Sequence, residues 1–150
     1  MTKNKIVPLA LSLLINNGIS IDSENNGKIA FISKEQNEIL DLVQKAADEC
    51  IKLYKPFSKV KAASQKATDI FANFGRTMPH GLGHGTGLEI HEAPFISLRA
   101  KEDSVFKEGN IVTLEPGLYY PELGGCRLEN DILITKDGNK VLTNSKIFRI

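Results

Sequence analysis

The sequence predicts an α+β domain, two amphipathic helices packed on a mostly antiparallel sheet. Three observations carry that expectation. Apolar residues recur at helical spacing between Ser33 and Phe74. After Gly75 the pattern changes to short apolar runs broken by turn residues. The order is therefore helix, helix and then strands, which suits helices laid on one face of an antiparallel sheet.

The elements follow in order. Residues 6–17 read as a short helix, with Pro8 near its first turn and Gly18 as its stop. Ile19–Asp22 and Lys28–Ile32 flank Asn25-Asn26-Gly27 and suggest a small hairpin. Residues 1–32 together form a divergent N-terminal segment, and residues 33–150 form the main domain. Ser33-Lys34-Glu35-Gln36 is a capping box, with Ser33 as N-cap and Gln36 reaching back. The helix it opens carries Ile39, Leu40, Val43, Ala46, Ala47, Cys50 and Tyr54 on one stripe, and Pro56 ends it. A second helix runs from about Ser58 to Phe74, with Val60, Ala63, Ala67, Ile70 and Phe71 inward. Ile111–Leu114, Gly117–Tyr120 and Cys126–Ile134 then read as strands. Phe106–Asn110 is a turn before the first, and Asp137-Gly138-Asn139 a hairpin turn before Val141-Leu142.

Bulk composition narrows the function classes. A chain of 150 residues with 41% apolar and 25% charged residues reads as one globular domain with a real core. A net charge of +1 gives no reason to expect nucleic acid or a membrane surface as partner. Two cysteines, Cys50 and Cys126, are too few for a disulfide framework and read as reduced thiols. The apolar run Leu9–Ile15 is too short to span a bilayer, and no convincing cleavage site follows it. A cytoplasmic location is the expectation.

The chemistry concentrates in one place. All three histidines lie within His80-Gly-Leu-Gly-His84-Gly-Thr-Gly-Leu-Glu-Ile-His91-Glu-Ala-Pro. Histidine suits metal binding and proton transfer near neutral pH. The four interleaved glycines let a backbone approach a ligand closely. Glu115-Pro-Gly117 ends the apolar strand Ile111–Leu114, which places a carboxylate at a fixed point. Arg127 and Glu129 are two apart and would share one face of a strand. One imidazole with two carboxylates suits a borderline-hard divalent ion such as Mn²⁺, Co²⁺, Fe²⁺ or Zn²⁺. Arg127 would offset surplus negative charge among clustered carboxylates. Taken singly, each feature has an ordinary reading: a turn, a surface ion pair, a hydrogen-bonding loop histidine. In this order together they are far more specific.

His-Gly-x-Gly-His-Gly-x-Gly-Leu-x-x-His-Glu, then Glu-Pro-Gly-x-Tyr, then Arg-x-Glu-x-Asp resembles the C-terminal half of the creatinase and aminopeptidase family of pita-bread metallopeptidases. The resemblance runs from about Ser33 to Ile150 and is nearer to Xaa-Pro aminopeptidases and prolidases than to methionine aminopeptidases. It implies a partial pita-bread fold and a metal-dependent peptidase that cleaves between an N-terminal residue and proline. It implies His84, Glu115 and Glu129 as metal ligands, Glu129 as the bridge between two ions, and Glu115 as manager of the attacking water's proton. His91 would steady the charge developing on the scissile carbonyl, His80 would line the pocket, and Arg127 would stand behind the ligands. The implied partner is a peptide with proline at its second position, and the implied cofactor a divalent ion, Mn²⁺ foremost, with Co²⁺ or Zn²⁺ as alternatives.

The chain departs from the family pattern at its N-terminal side. Two aspartate ligands of the full site belong to an Asp-x-Gly … Ser-Asp-x-Thr-Arg hairpin, and Ala30-Phe31-Ile32 stands where the second half of it should be. Asp22 is the only aspartate before the capping box, and a solvated hairpin residue is its plainer reading. With three of five ligands, the isolated chain is expected to hold at most one ion and to need a missing N-terminal half, or self-association, for activity. The alternative is a non-catalytic binding domain that keeps the fold without hydrolysis.

Overall fold

The computed structural model describes residues 33–143 and 147. The helix expected over 6–17, the hairpin Ile19–Asp22 with Lys28–Ile32, and Asp22 itself lie outside the described residues.

Helix α1 spans Lys34–Cys50 and starts where the capping box places it. The Ser33 hydroxyl accepts from the Gln36 amide at 3.2 Å, and the Gln36 side chain accepts from the Ser33 amide at 2.8 Å. Two of the four amides left without helical partners at that end are thereby satisfied. Ile39, Val43, Ala46, Ala47 and Cys50 are buried along one face, as the 3.6-residue period requires. The α-helix stops short of Pro56. A 3₁₀ turn over Ile51–Leu53 tightens the end, and Tyr54 leaves the helical conformation at φ −80°, ψ 77°. That departure puts the Tyr54 ring in the core, where it is fully buried and meets Phe106 at 4.6 Å between ring centroids.

Helix α2 spans Val60–Ala72, a few residues shorter at each end than its periodicity suggests. Val60, Ala63, Ala67, Ile70 and Phe71 are all buried on it. Gly75 closes its C-terminal end at φ 65°, a left-handed angle that costs glycine little, and Arg76 donates its amide back to Phe71.

Seven short strands follow: β1 Gly83–Gly85, β2 Glu92–Ile96, β3 Ile111–Leu114, β4 Gly117–Tyr120, β5 Gly124–Arg127, β6 Asn130–Thr135 and β7 Gly138–Val141. Five form one sheet in the order β2-β1-β3-β6-β7, and every pairing within it is antiparallel. Strands β4 and β5 form a separate antiparallel pair. The α+β expectation is met, with two helices on a mostly antiparallel sheet.

Three local expectations need correction. The run Cys126–Ile134 is two strands, broken at Leu128-Glu129, because the chain must pass from the β4–β5 pair into the larger sheet. The last hairpin turns at Lys136-Asp137, one residue earlier than expected, since Thr135 pairs directly with Gly138. The histidine segment contains β1, concealed by its glycines, and the start of β2, concealed by Pro94. A Cβ on Gly83 would come within 2.2 Å of the Thr113 carbonyl oxygen, and one on Gly85 within 2.4 Å of the Ala93 carbonyl oxygen. These two glycines let strands approach strands; the close backbone approach is to the sheet itself.

The core has two parts. Cys50, Tyr54, Val60, Leu82, Ile96, Phe106, Val112, Leu114, Ile132 and Ile134 fill one of them, drawn from both helices and the larger sheet. Ile39, Val43, Ala46, Ile70, Phe71, Leu118 and Leu128 fill the other, which ties the helices to β4–β5. Each large apolar side chain buried here contributes about 1.5–3 kcal/mol relative to exposure. This packing fixes the ends of β1 and β3 and the β4–β5 pair, from which the chemically active side chains project.

Candidate functional site

His84 sits in the middle of β1, and its position is set from both sides. Its amide donates to the Thr113 hydroxyl on β3 at 3.0 Å. Its ring Nδ1 lies 3.0 Å from the Gly85 carbonyl oxygen, so that nitrogen is the donor. The other nitrogen, Nε2, then carries the lone pair. It faces Glu115 Oε1 at 3.3 Å, with both side chains only 12% and 13% exposed. Two acceptor atoms held face to face in a mostly buried place can serve as donors to one cation.

Glu115 follows β3 directly, and its amide donates to the Leu82 carbonyl at 2.9 Å. The Thr113 hydroxyl donates to Glu115 Oε1 at 3.0 Å. The other carboxylate oxygen lies 4.0 Å from Arg127 Nε. Arg127 ends β5 and reaches Glu129 Oε2 with Nη2 at 3.2 Å. Arg127 and Glu129 thus meet, but through the break between β5 and β6 and not by the two-residue period of one strand. Burial pulls the guanidinium's pKa down, but the carboxylate of Glu129, then Tyr119 and Glu115, outweigh it and raise it.

A second chain of polar groups runs beside the first. His80 Nδ1 lies 2.7 Å from the Gly81 carbonyl oxygen, which makes Nε2 the acceptor, and the Tyr119 hydroxyl is 3.1 Å from it. Tyr119 lies over its cross-strand partner Gly125, where a Cβ would stand 2.5 Å from the ring. The His91 ring is 4.3 Å from that of His84, centroid to centroid. His80, His84, His91, Phe95, Glu115 and Arg127 all line one open cleft of about 410 Å³.

The structure therefore brings His80, His84, His91, Glu115 and Arg127 together and sets Glu129 just outside the cleft wall, tied to it by Arg127. Among the described residues no three His, Cys, Asp or Glu side chains gather closely enough to hold one metal ion. Glu129 is engaged by the Arg127 guanidinium instead. Sequence reasoning missed Thr113 and gave no role to Tyr119, the last residue of Glu-Pro-Gly-x-Tyr. A signal for Thr113 was present: a hydroxyl two residues before Glu115 on an extended strand shares its face.

The helices, the antiparallel sheet and the histidine-lined cleft define the class, the C-terminal part of a pita-bread metallopeptidase. The chain belongs to metallopeptidase family M24, whose model matches residues 13–136. Among curated relatives, the Xaa-Pro dipeptidase of Pyrococcus horikoshii is 40% identical over 116 residues, covering 76% of this chain and 32% of the relative. An uncharacterized peptidase of Staphylococcus saprophyticus is 37% identical over 145 residues, covering 95% of this chain and 41% of the relative. Among solved structures, the prolidase from Pyrococcus horikoshii superposes with a TM-score of 0.74 at 39% identity, over 79% of this chain and 34% of that one. The Xaa-Pro dipeptidase from Bacillus anthracis superposes with a TM-score of 0.73 at 38% identity, over 79% and 33%. The chain thus spans about a third of the length of most of these relatives, at their C-terminal part.

Proposed function

We propose that this chain supplies the C-terminal part of the active site of a metal-dependent Xaa-Pro peptidase. One observation carries the reading: His84 Nε2 and Glu115 Oε1 face each other at 3.3 Å, with the opposite imidazole nitrogen anchored on a backbone carbonyl. Anchoring of the far nitrogen is the arrangement that metal-bound histidines use. Imidazole and carboxylate donors without thiolate suit Mn²⁺, Co²⁺ or Zn²⁺. His84, Glu115 and Glu129 would hold the ion, Glu129 turning from Arg127; its side chain is 40% exposed and has room to do so.

A bound divalent ion would polarise the scissile carbonyl and acidify a water. The chain's own residues do the remaining work. Glu115 takes the proton of the attacking water at its carboxylate. His91, beside His84 on the cleft wall, donates to the oxygen on which charge develops. Arg127 balances the carboxylates it touches. Phe95 gives the cleft an apolar wall that suits a proline ring. The specificity for proline rests on the names of the relatives, which are Xaa-Pro dipeptidases and prolidases. Further ligands would come from outside the ones named here, from an N-terminal half or a second chain.

A second reading, a binding domain without hydrolysis, is favoured by Arg127, whose guanidinium lies near both Glu115 and Glu129 and competes with a cation for the two carboxylates. The deciding experiment joins the Mn²⁺-loaded chain to the N-terminal portion of an M24 Xaa-Pro dipeptidase and measures cleavage of Xaa-Pro dipeptides. Cleavage is expected, with His91→Ala lowering it about 10²–10³-fold while the metal stays bound. A metal-loaded assembly that cleaves nothing, or one that His91→Ala leaves unchanged, would refute the peptidase reading.

A further inference from the structure

We propose that Thr113 is a positioning residue that sets the distance between His84 and Glu115. The inference rests on the reading of those two residues as ligands. Thr113 is 3% exposed in the middle of β3, among Val112 and Leu114, which are also buried. A buried hydroxyl is costly unless it is partnered, and valine would fill the same volume in a strand at no such cost. The hydroxyl has one proton to give and accepts through its oxygen. It accepts from the His84 amide at 3.0 Å and donates to Glu115 Oε1 at 3.0 Å; the alternative acceptor, the His84 carbonyl, is farther at 3.5 Å. One atom thus fixes the backbone of the imidazole and the oxygen of the carboxylate that faces it.

Thr113 is itself held from below. The Tyr54 hydroxyl donates to the Thr113 carbonyl at 3.1 Å, and the Asn139 side chain holds the Tyr54 carbonyl at 2.9 Å. On the neighbouring strand only glycine fits at position 83, where a Cβ would stand 3.0 Å from the Thr113 hydroxyl oxygen and nearer still to its carbonyl. Without the hydroxyl, Glu115 Oε1 loses its neutral donor, and the remaining partner within reach is Arg127. The carboxylate should then turn from His84 toward the guanidinium.

The test is calorimetric titration of the 150-residue chain with Mn²⁺, for the natural sequence, Thr113→Val, Thr113→Ser and Glu115→Gln. Second-sphere partners of metal ligands are worth about 10–100-fold in affinity, and Thr113→Val should lose that much. Thr113→Ser, which keeps the hydroxyl, should stay within about threefold of the natural chain. Melting temperatures of the metal-free variants separate a positioning loss from a folding loss. If Thr113→Val does not fold, Thr113→Ala against Thr113→Ser makes the same comparison. Unchanged affinity in a folded Thr113→Val, with affinity lost in Glu115→Gln, overturns the role of Thr113 and leaves the ligand reading intact. If the natural chain takes up no Mn²⁺, the ligand reading fails in this chain. Thr113 is then judged without metal, by hydrogen exchange at the His84 amide: faster exchange in Thr113→Val supports the bond, and equal exchange overturns it.

Discussion

At the scale of single residues, burial decides which groups react. Cys50 is fully buried, its Sγ 3.6 Å from the Ala63 carbonyl, and loss of solvent pushes its thiol up to about 12 from 9.0. A raised pKa in the folded state means that the fold favours the protonated thiol. The stability this contributes is complete below pH 9.0 and is lost as pH rises from there toward about 12. Tyr54, fully buried and raised in the same direction by the same cause, adds to the alkaline loss. Cys50 should therefore resist a thiol reagent at pH 8 in the folded chain and react on unfolding in urea, as mass spectrometry of labelled peptides would show. Rapid labelling of Cys50 under native conditions would mean that the space between α1 and α2 opens readily. Most residues that line the cleft were legible at this scale, because histidine, glutamate and arginine declare their chemistry by type. The roles of Thr113 and Tyr119 were less so: Thr113 stands two residues before Glu115, but its other partner and that of Tyr119 are 29 and 39 residues away in the chain.

At the scale of elements, the helices were legible and part of the sheet was not. Helical periodicity and a capping box are local signals, and α1 begins at the residue they mark. Ser33→Ala should cost about 1 kcal/mol in urea unfolding, the usual value of an N-cap hydroxyl. Strand β1 escaped notice because glycine weakens strand propensity, while the reason for glycine there lies in the neighbouring strands, and β2 because Pro94 sits inside it. That reason is testable by contrast. Gly83→Ala drives a Cβ into the Thr113 carbonyl and should cost about 1–3 kcal/mol or more, whereas Gly138→Ala meets nothing within 4 Å and should stay within about 0.5 kcal/mol. Equal melting temperatures for the two variants would show that β1 has slack against β3. The break between β5 and β6 was hidden for a similar reason, since Cys126–Ile134 is continuous in pattern and divides only because its halves pair with different partners.

At the scale of the whole molecule, two helices and two sheets enclose a core, and the cleft is lined on one side by the half-exposed ring of Phe95. None of the helices among the described residues is long and apolar enough to cross a membrane. Little or no hydrolysis of Xaa-Pro peptides is expected from the 150 residues alone, because positioning and electrostatic contributions to catalysis are each worth several kcal/mol and three ligands supply only part of them. Turnover by the isolated chain, eluting as a monomer and scaling with its concentration, would indicate that one ion suffices. The most direct measurement is equilibrium dialysis of the purified chain against Mn²⁺, followed by elemental analysis. One weakly held ion per chain is expected, and none in His84→Ala or Glu129→Gln. Full retention of the ion by both variants, or two tightly held ions per chain, would contradict the assignment of this cleft as a three-ligand metal site.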